Sequence, residues 1–219
     1  MSADLVTDAD AKAEAAAVAV LQEHRPDDAI VGEEGASKAG NSDRRWWIDG
    51  IDGTVAFASG IASWCSAVVL EDEHGPAATA VRDMTSLELH TAARGQGAYV
   101  SGRRSRVREV DSLQEAHVAV FLRQDRLVKP GVRETAHRLL DQTGLIRHAG
   151  PGSLELAWVA AGRLDAWIQP DTDPWDWLPG ALLVTEAGGL ATRTPADPEW
   201  CVATIGRPLH DALIALTTQ

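Results

Sequence analysis

The stretch from Trp46 to Gly60, WWIDGIDGTVAFASG, constrains the fold of this chain more than any other. Two tryptophans and an isoleucine predict the end of a buried strand, because large and β-branched side chains suit a packed sheet. A glycine follows each of Asp49 and Asp52, which predicts a tight turn directly after that strand. These carboxylates and the hydroxyl of Thr54 are oxygen ligands of the kind that hard cations such as Mg²⁺ bind. The alternative is an Asp-Gly turn that only ends a strand.

Length and composition bound the class of protein. The 219 residues suit a single domain with a real core, in which we separate a metal-site half, 1–115, from an α/β half, 116–219. The formal net charge of −12 argues against a nucleic-acid polymer as partner, since phosphate backbones bind basic surfaces. Two distant cysteines without a CxxC pattern predict a reducing, cytoplasmic setting. We find no secretory signal and no apolar run of the roughly 20 residues that would predict a membrane partner.

The order of the elements predicts a mixed α/β fold. An alanine-rich helix over 9–23, capped by Asp8 or Asp10, precedes the central strand. Strands over 63–70, 77–82, 87–93 and 98–100 then read as an antiparallel meander. The second half alternates short strands with helices, which suggests layers of sheet and helix. In the helix from Trp175 to Glu186, Pro179 is tolerable only within the first turn.

Four acidic signatures follow one another along the chain: DLVTDAD, GEEG, WWIDGIDGT and PWDW followed by EAGG. Carboxylates about 4 Å apart repel by roughly 4 kcal/mol per pair at an effective dielectric of 20. A fold that gathers several of them therefore needs cations. The four signatures, over residues 4–189, resemble those of the inositol monophosphatase family, whose members are magnesium-dependent phosphatases.

The resemblance implies a layered αβαβα sandwich of the inositol monophosphatase and fructose-1,6-bisphosphatase type, shortened at its N-terminus. It also implies a metal site of two or three Mg²⁺ ions, with inhibition by lithium. The implied metal ligands are Glu33, Asp49, the backbone carbonyl of Ile51, Asp52 and Asp176. For Glu33, a solvated loop is the alternative when the GEEG segment is taken by itself.

The resemblance further implies catalytic and substrate-binding roles. Asp10 and Thr54 would together orient and deprotonate the attacking water, beside the metal-bridging Asp49, although Asp10 could instead only cap a helix. The implied substrate-binding residues are Gly53 and Thr54, through backbone N–H groups, and Ser153, Gln169 and Asp176. Ser153 could instead be a helix N-cap, and Gln169 a surface residue.

The implied function is a magnesium-dependent phosphomonoesterase that hydrolyses a small phosphorylated metabolite, inositol monophosphate first, as a homodimer. Three positions depart from the family pattern: Gly50 replaces proline, Ala56 replaces asparagine, and Gln169 replaces the glutamate that holds inositol hydroxyls. The alternatives are therefore a histidinol-phosphatase, with Asp171 or Asp173 for the substrate's amine, or another sugar or nucleotide phosphatase. From a different class, the alternative is a catalytically weak regulatory relative that binds a phosphorylated ligand.

Overall fold

The structure is a computed structural model that describes residues 7–218, so residues 4–6 of the first acidic signature lie outside it. Its first half forms β1 Ala29–Gly32, β2 Ser37–Lys38, β3 Arg45–Asp52, β4 Cys65–Asp72, β5 Gly75–Asp83, β6 Leu89–Ala93, β7 Gly97–Val100 and β8 Arg103–Arg104. These strands make one sheet in the order β2-β1-β3-β4-β5-β6-β7-β8. All pairs from β3 to β8 are antiparallel, which confirms the predicted meander, whereas β1 runs parallel to β3.

The second half forms a smaller sheet. Its strands are β9 His117–Val120, β10 Leu145–Arg147, β11 Ala166–Pro170, β12 Leu190–Arg193 and β13 Trp200–Thr204. They lie in the order β10-β9-β11-β13-β12, with β9 parallel to both of its neighbours and β13 antiparallel to both of its own. The second sheet is therefore mixed, as expected for strands that alternate with helices.

Helices complete the layers. They are α1 Asp8–His24, α2 Thr54–Ala58, α3 Gln124–Leu127, α4 Val132–Gln142, α5 Gly152–Ala160, α6 Pro174–Glu186 and α7 Arg207–Thr217. Helix α1 packs on β3, α5 and α6 contact strands of both sheets, and α4 packs on α7, which contacts β13. This order of layers confirms the αβαβα architecture. Among the described residues, no helix is long and apolar enough to cross a membrane.

The start of α1 differs from the prediction. Thr7 is the N-cap, since its side chain accepts a hydrogen bond from the N–H of Ala9 at 3.2 Å. Asp10, at the third helical position, accepts the Thr7 N–H in return at 2.9 Å, which completes a capping box. The N-cap residue is therefore Thr7 rather than Asp8 or Asp10, but Asp10 takes part in the capping and both acids lie in the first turn of α1.

The middle helices pack closely. A Cβ at Gly180 would lie 2.2 Å from Cβ of Leu156, so glycine is required where α6 crosses α5. On the other side, Trp177 of α6 stacks on Trp167 of β11 with ring centroids 5.9 Å apart. Pro179 lies in the second turn of α6, inside the helix, so the expectation that it is tolerable only within the first turn is wrong. Burial of α6 between two sheets offsets the hydrogen bond that proline removes.

Candidate metal centre

A β-bulge turns Asp49 and Asp52 to the same side of the first sheet. Asp49 lies opposite Ala67 of β4 and Asp52 lies opposite Cys65, so one strand has an extra residue. Residues three apart in a regular strand point to opposite faces, and a bulge of one residue restores the same face. Ala67 and Cys65 belong to the buried core, so both carboxylates face the layer of α5 and α6.

Gly50, inside this bulge, lies directly beneath α1. A Cβ there would lie 2.8 Å from both the carbonyl oxygen of Asp10 and the backbone nitrogen of Glu14. The carbonyl of Gly50 accepts a hydrogen bond from Ser66 Oγ at 2.7 Å. Glycine at this position therefore allows α1 to approach β3, and a larger residue would push the helix away.

Asp176, in the first turn of α6, completes a group of three carboxylates. One oxygen of each of Asp49, Asp52 and Asp176 lies within 4.8 Å of the others. Asp49 is 2% exposed, and within the described residues its Oδ1 has no hydrogen-bond partner. The group therefore combines close like charges with an unsatisfied buried oxygen.

The carboxylates of this group favour protonation. Loss of hydration, followed by the charges of Asp52 and Asp176, holds the pKa of Asp49 well above its usual value. Burial and the charge of Asp52 raise the pKa of Asp176 in the same way. Burial also raises the pKa of Asp52, although a hydrogen bond from Ser153 opposes the rise. Each shift has the direction expected for buried carboxylates, and for Asp49 and Asp176 the neighbouring acids add to it.

Asp10 and Thr54 lie in hydrogen-bond contact beside this group. Thr54 Oγ1 is 2.9 Å from Asp10 Oδ1 and 3.1 Å from the carbonyl oxygen of Ile51, and its single proton can be donated to either. Asp10 is 1% exposed, and its other oxygen belongs to the α1 capping box. Asp10 thus both caps α1 and bonds Thr54, so the two interpretations of this residue are compatible.

Glu33 lies at the outer edge of the site, beyond the end of β1. Its N–H donates to the carbonyl of Ile48 at 3.1 Å, but its carboxylate is not among the close group of three. Loss of hydration and the charge of Asp52 raise the pKa of Glu33 to about 7. The residue is exposed overall, but its carboxyl group reaches inward to Asp49, so Glu33 lies at the edge of the carboxylate group.

Glu14 is a residue of this site that the sequence did not reveal. It is buried and accepts the backbone N–H groups of Glu34 and Ala36, each at 2.8 Å, so it holds the loop of Glu33 against α1. Its position four residues after Asp10, on the same face of α1, is the signal that could have identified it.

Ser153, in the first turn of α5, contacts two of the three acids. Its N–H donates to Asp52 Oδ2 at 2.7 Å, and its Oγ donates to the backbone carbonyl of Asp176 at 3.2 Å. Pro151 is the N-cap of α5, so the alternative of Ser153 as an N-cap is wrong. Ser153 is fully buried and braces the carboxylate group from the side of α5.

The turn at Gly53 joins the group to α2. Gly53 has a left-handed φ of 97°, and a Cβ there would lie 3.0 Å from the carbonyl of Ser63. Glycine is therefore required both by conformation and by space. Gly53 and Thr54 are the N-cap and first residue of α2.

The segment before α6 carries the remaining predicted residues. Gln169, half-buried, lies near the end of β11 opposite Cys201. Asp171 has a left-handed φ of 48° and binds Lys129 Nζ at 2.6 Å and Arg126 Nη1 at 3.4 Å. Two protein cations thus already neutralise Asp171, which therefore does not offer a free charge to an amine.

The donor set fits a hard divalent cation. Three carboxylates and the carbonyl of Ile51 supply only oxygen, as Mg²⁺ prefers. The partnerless Oδ1 of Asp49 is the observation on which this fit rests, because a buried oxygen without a partner is costly. Asp49, Asp52 and Asp176 would hold the ion.

Comparison with known proteins agrees with the geometry. A protein from Pseudomonas aeruginosa named Nus factor SuhB is 38% identical over 203 residues, covering 90% of this chain and 75% of that relative. An inositol-1-monophosphatase of Rhizobium meliloti is 37% identical over 193 residues, covering 87% of this chain and 72% of that relative.

Solved structures show the same fold. The extragenic suppressor protein suhB of Bartonella henselae superposes with a TM-score of 0.91 at 29% identity, covering 100% of this chain and 86% of the other. The inositol monophosphatase of Anabaena superposes with a TM-score of 0.88 at 29% identity, covering 96% of this chain and 86% of the other. The model of the inositol monophosphatase family matches residues 1–215. The chain therefore belongs to the inositol monophosphatase family.

Proposed function

We propose that this protein is a magnesium-dependent phosphomonoesterase for a small phosphorylated metabolite. The observation that carries the proposal is the buried group of Asp49, Asp52 and Asp176, with an oxygen of Asp49 that has no partner in the described residues. Membership of a phosphatase family supports the same reaction class.

The metal-binding residues of the proposal are Asp49, Asp52 and Asp176, with Glu33 and the carbonyl of Ile51 at the edge of the site. Bound Mg²⁺ would supply positive charge for the phosphoryl oxygens and lower the pKa of a coordinated water. Two or three ions, and inhibition by lithium, are carried over from the family resemblance as parts of this proposal.

Thr54 and Asp10 are the proton-handling pair of the proposal. If Thr54 donates its hydroxyl proton to Asp10 Oδ1, a lone pair of its Oγ1 is free to accept a proton from the attacking water. The carbonyl of Ile51, 3.1 Å from the same Oγ1, is the alternative acceptor and receives no proton from Thr54 while Asp10 does. Asp10 itself is fixed by its capping bonds, which suits a positioned base.

Inositol monophosphate is the substrate that we propose first, because named relatives include an inositol-1-monophosphatase. The backbone N–H groups of Gly53 and Thr54 would receive the phosphate, and Ser153, Gln169 and Asp176 would line the rest of the pocket. A histidinol phosphate substrate is less well supported, because Lys129 and Arg126 already bind Asp171. Asp173, the N-cap of α6, would have to bind the amine.

A regulatory role is the second candidate, and the names of the relatives favour it. Several matched proteins, including those of Pseudomonas aeruginosa and Escherichia coli, bear the name Nus factor SuhB, which does not designate a phosphatase. A protein of this kind could bind a phosphorylated ligand with little turnover. The expected absence of a nucleic-acid partner stays a prediction, as do the homodimer and the cytoplasmic location.

The deciding experiment is phosphate release from inositol 1-phosphate, histidinol phosphate, fructose 1,6-bisphosphate and 3′-phosphoadenosine 5′-phosphate, with and without Mg²⁺. We expect Mg²⁺-dependent release that the Asp49→Asn variant lacks, and the fastest substrate identifies the branch of the family. Mg²⁺ binding without release from any substrate would favour the regulatory role. Undiminished release by Asp49→Asn would refute the assigned site.

A further inference from the structure

Glu155 is a fully buried carboxylate that the proposed reaction does not use. It lies in the first turn of α5, and its Oε1 accepts hydrogen bonds from Arg147 Nε at 3.0 Å and from the N–H of Gly150 at 3.1 Å. Its Oε2 has no hydrogen-bond partner in residues 7–218. Burying a charge in this way is unfavourable unless the carboxylate is paired, so its contacts need an explanation.

Arg147 is held in place from two sides. It is the last residue of β10, and its guanidinium lies 5.0 Å from the ring centroid of Trp158. Glu155 and Trp158 are three residues apart on α5, so the same face of the helix binds the guanidinium of Arg147 through both side chains. The ion pair thus connects an edge strand of the second sheet to the first turn of α5.

The segment that Glu155 holds leads directly to the carboxylate group. The N–H of Gly150 bonds Glu155, while the carbonyl of Gly150 accepts a hydrogen bond from Ser63 Oγ at 3.1 Å. Three residues later, Ser153 bonds both Asp52 Oδ2 and the carbonyl of Asp176. The ion pair therefore fixes one end of a short segment whose other end orients two of the proposed metal ligands.

We propose that Arg147 and Glu155 are positioning residues for the metal centre, acting through Gly150 and Ser153 on Asp52. The inference rests on the proposed function, in which Asp52 binds Mg²⁺. Groups that orient a metal ligand commonly change metal affinity by about 10–100-fold when they are removed. Arg147 and Glu155 do not contact Asp52 directly but act through the segment from Gly150 to Ser153. We therefore expect a change in Mg²⁺ affinity at the lower end of that range.

A second ion pair at the opposite end of α5 provides a matched control. Arg163, just beyond the end of the helix, binds Glu88 through both of its terminal nitrogens at 2.6 and 2.7 Å. The two arginines are similarly exposed, at 33% for Arg147 and 44% for Arg163. Among the described residues, the side chain of Glu88 contacts Arg163 and His90 rather than the segment that leads to Asp52, so loss of this pair tests the anchoring of the helix.

The experiment measures Mg²⁺ binding to the full chain by isothermal titration calorimetry, which needs no substrate. We expect Arg147→Met and Glu155→Gln to weaken Mg²⁺ affinity by about 10-fold, and Arg163→Met to leave it within about 2-fold. Arg147→Lys, which keeps the charge, should recover most of the loss. Thermal melts show whether each variant is folded. If Glu155→Gln does not fold, the Arg147 variants test the proposal, because Arg147 is partly exposed.

The outcomes separate this inference from the function on which it rests. If the wild-type protein binds no Mg²⁺, the proposed function fails. If the wild type binds Mg²⁺ and Asp52→Asn does not, while Arg147→Met keeps full affinity, the positioning role alone is overturned. Equal weakening by Arg147→Met and Arg163→Met would also overturn it, because the effect would then reflect general loosening of α5.

Discussion

Asp49 and Asp165 are both buried aspartates, but their surroundings are opposite. Asp165 is completely buried. Its carboxylate accepts hydrogen bonds from two nitrogens of Arg108 and, at 2.8 Å, from the backbone N–H of His117. Asp49 is 2% exposed and faces Asp52 and Asp176 instead. In the described part of the chain, the ion pairs of the protein do not include Asp49.

The difference shows how one fold uses buried carboxylates in two ways. Where the chain supplies the cation, as Arg108 does for Asp165, the carboxylate links distant segments and contributes to stability. Where it supplies only more carboxylates, their mutual repulsion destabilises the native state unless a cation binds between them. Such a local sacrifice of stability is typical of functional sites. Stability should therefore depend on Arg108, and activity on Asp49 and its neighbours.

The largest effect should follow from removing one charge of the unpaired group. Asp52→Asn keeps an oxygen that can accept the Ser153 N–H but loses the charge that we propose binds Mg²⁺. We expect turnover to fall by about 10³-fold, or about 4 kcal/mol, in phosphate release at saturating Mg²⁺. The fold should remain, since the hydrogen bond is conserved. Activity within 10-fold of wild type would show that Asp52 is not a metal ligand.

The next largest effect should appear at the paired aspartate. Arg108→Met leaves Asp165 buried with only a backbone donor, so unfolding free energy should fall by about 3 kcal/mol. Urea unfolding measures the loss. Arg108 is half-exposed, so solvent partly screens its charge. The loss of unfolding free energy should therefore lie at the low end of the range known for broken buried ion pairs. The Mg²⁺ affinity of Arg108→Met should equal that of wild type. A large drop in affinity would mean that the ion pair of Asp165 and the carboxylate group of Asp49 are not independent.

A smaller effect concerns the protein without metal. The pKa of Asp49 lies above its unfolded value, so its stabilising contribution is complete below about pH 4 and is lost as pH rises through the native pKa. Metal-free Asp49→Asn should therefore be more stable than wild type at pH 8, by about 1 kcal/mol or about 3 °C. The difference between the two proteins should shrink at pH 5.

Added Mg²⁺ provides the control for this experiment. It should raise the melting temperature of wild type at pH 8 and have little effect on Asp49→Asn, because ligands stabilise only the state that binds them. If metal-free wild type is instead the more stable protein at pH 8, the carboxylates of this group do not repel one another as their geometry suggests.

The sequence predicted much of the site because its chemistry is local. The glycines and aspartates between residues 49 and 53 determine a turn and place two of the candidate ligands, and the pairing of Asp10 with Thr54 followed from the family resemblance. Mixed layers of sheet and helix followed from the order of the elements, and the αβαβα arrangement followed from the resemblance. What the motif could not show is the bulge, since the spacing of Asp49 and Asp52 alone would place them on opposite faces of a strand.

The contacts that were missed are those between distant segments. Arg108 pairs with Asp165, which is 57 residues away in the sequence. Glu14 reaches the loop after β1, 20 residues away. Neither pairing has a local pattern, because the residues meet only after both sheets and their helices have packed.

The smallest expected effect tests whether an ion pair stabilises this protein only when its carboxylate is buried. Arg207 and Asp211 form an exposed pair one turn apart on α7, with side chains 73% and 65% exposed and 3.8 Å between charged atoms. The order Arg before Asp is the weaker one on a helix, and a cation at the first helical position opposes the helix dipole. Arg207→Gln should therefore change the unfolding free energy by at most about 0.3 kcal/mol in urea titrations. A loss as large as that of Arg108→Met would mean that charge pairing stabilises this chain regardless of burial, and Asp165 would no longer differ from any surface carboxylate.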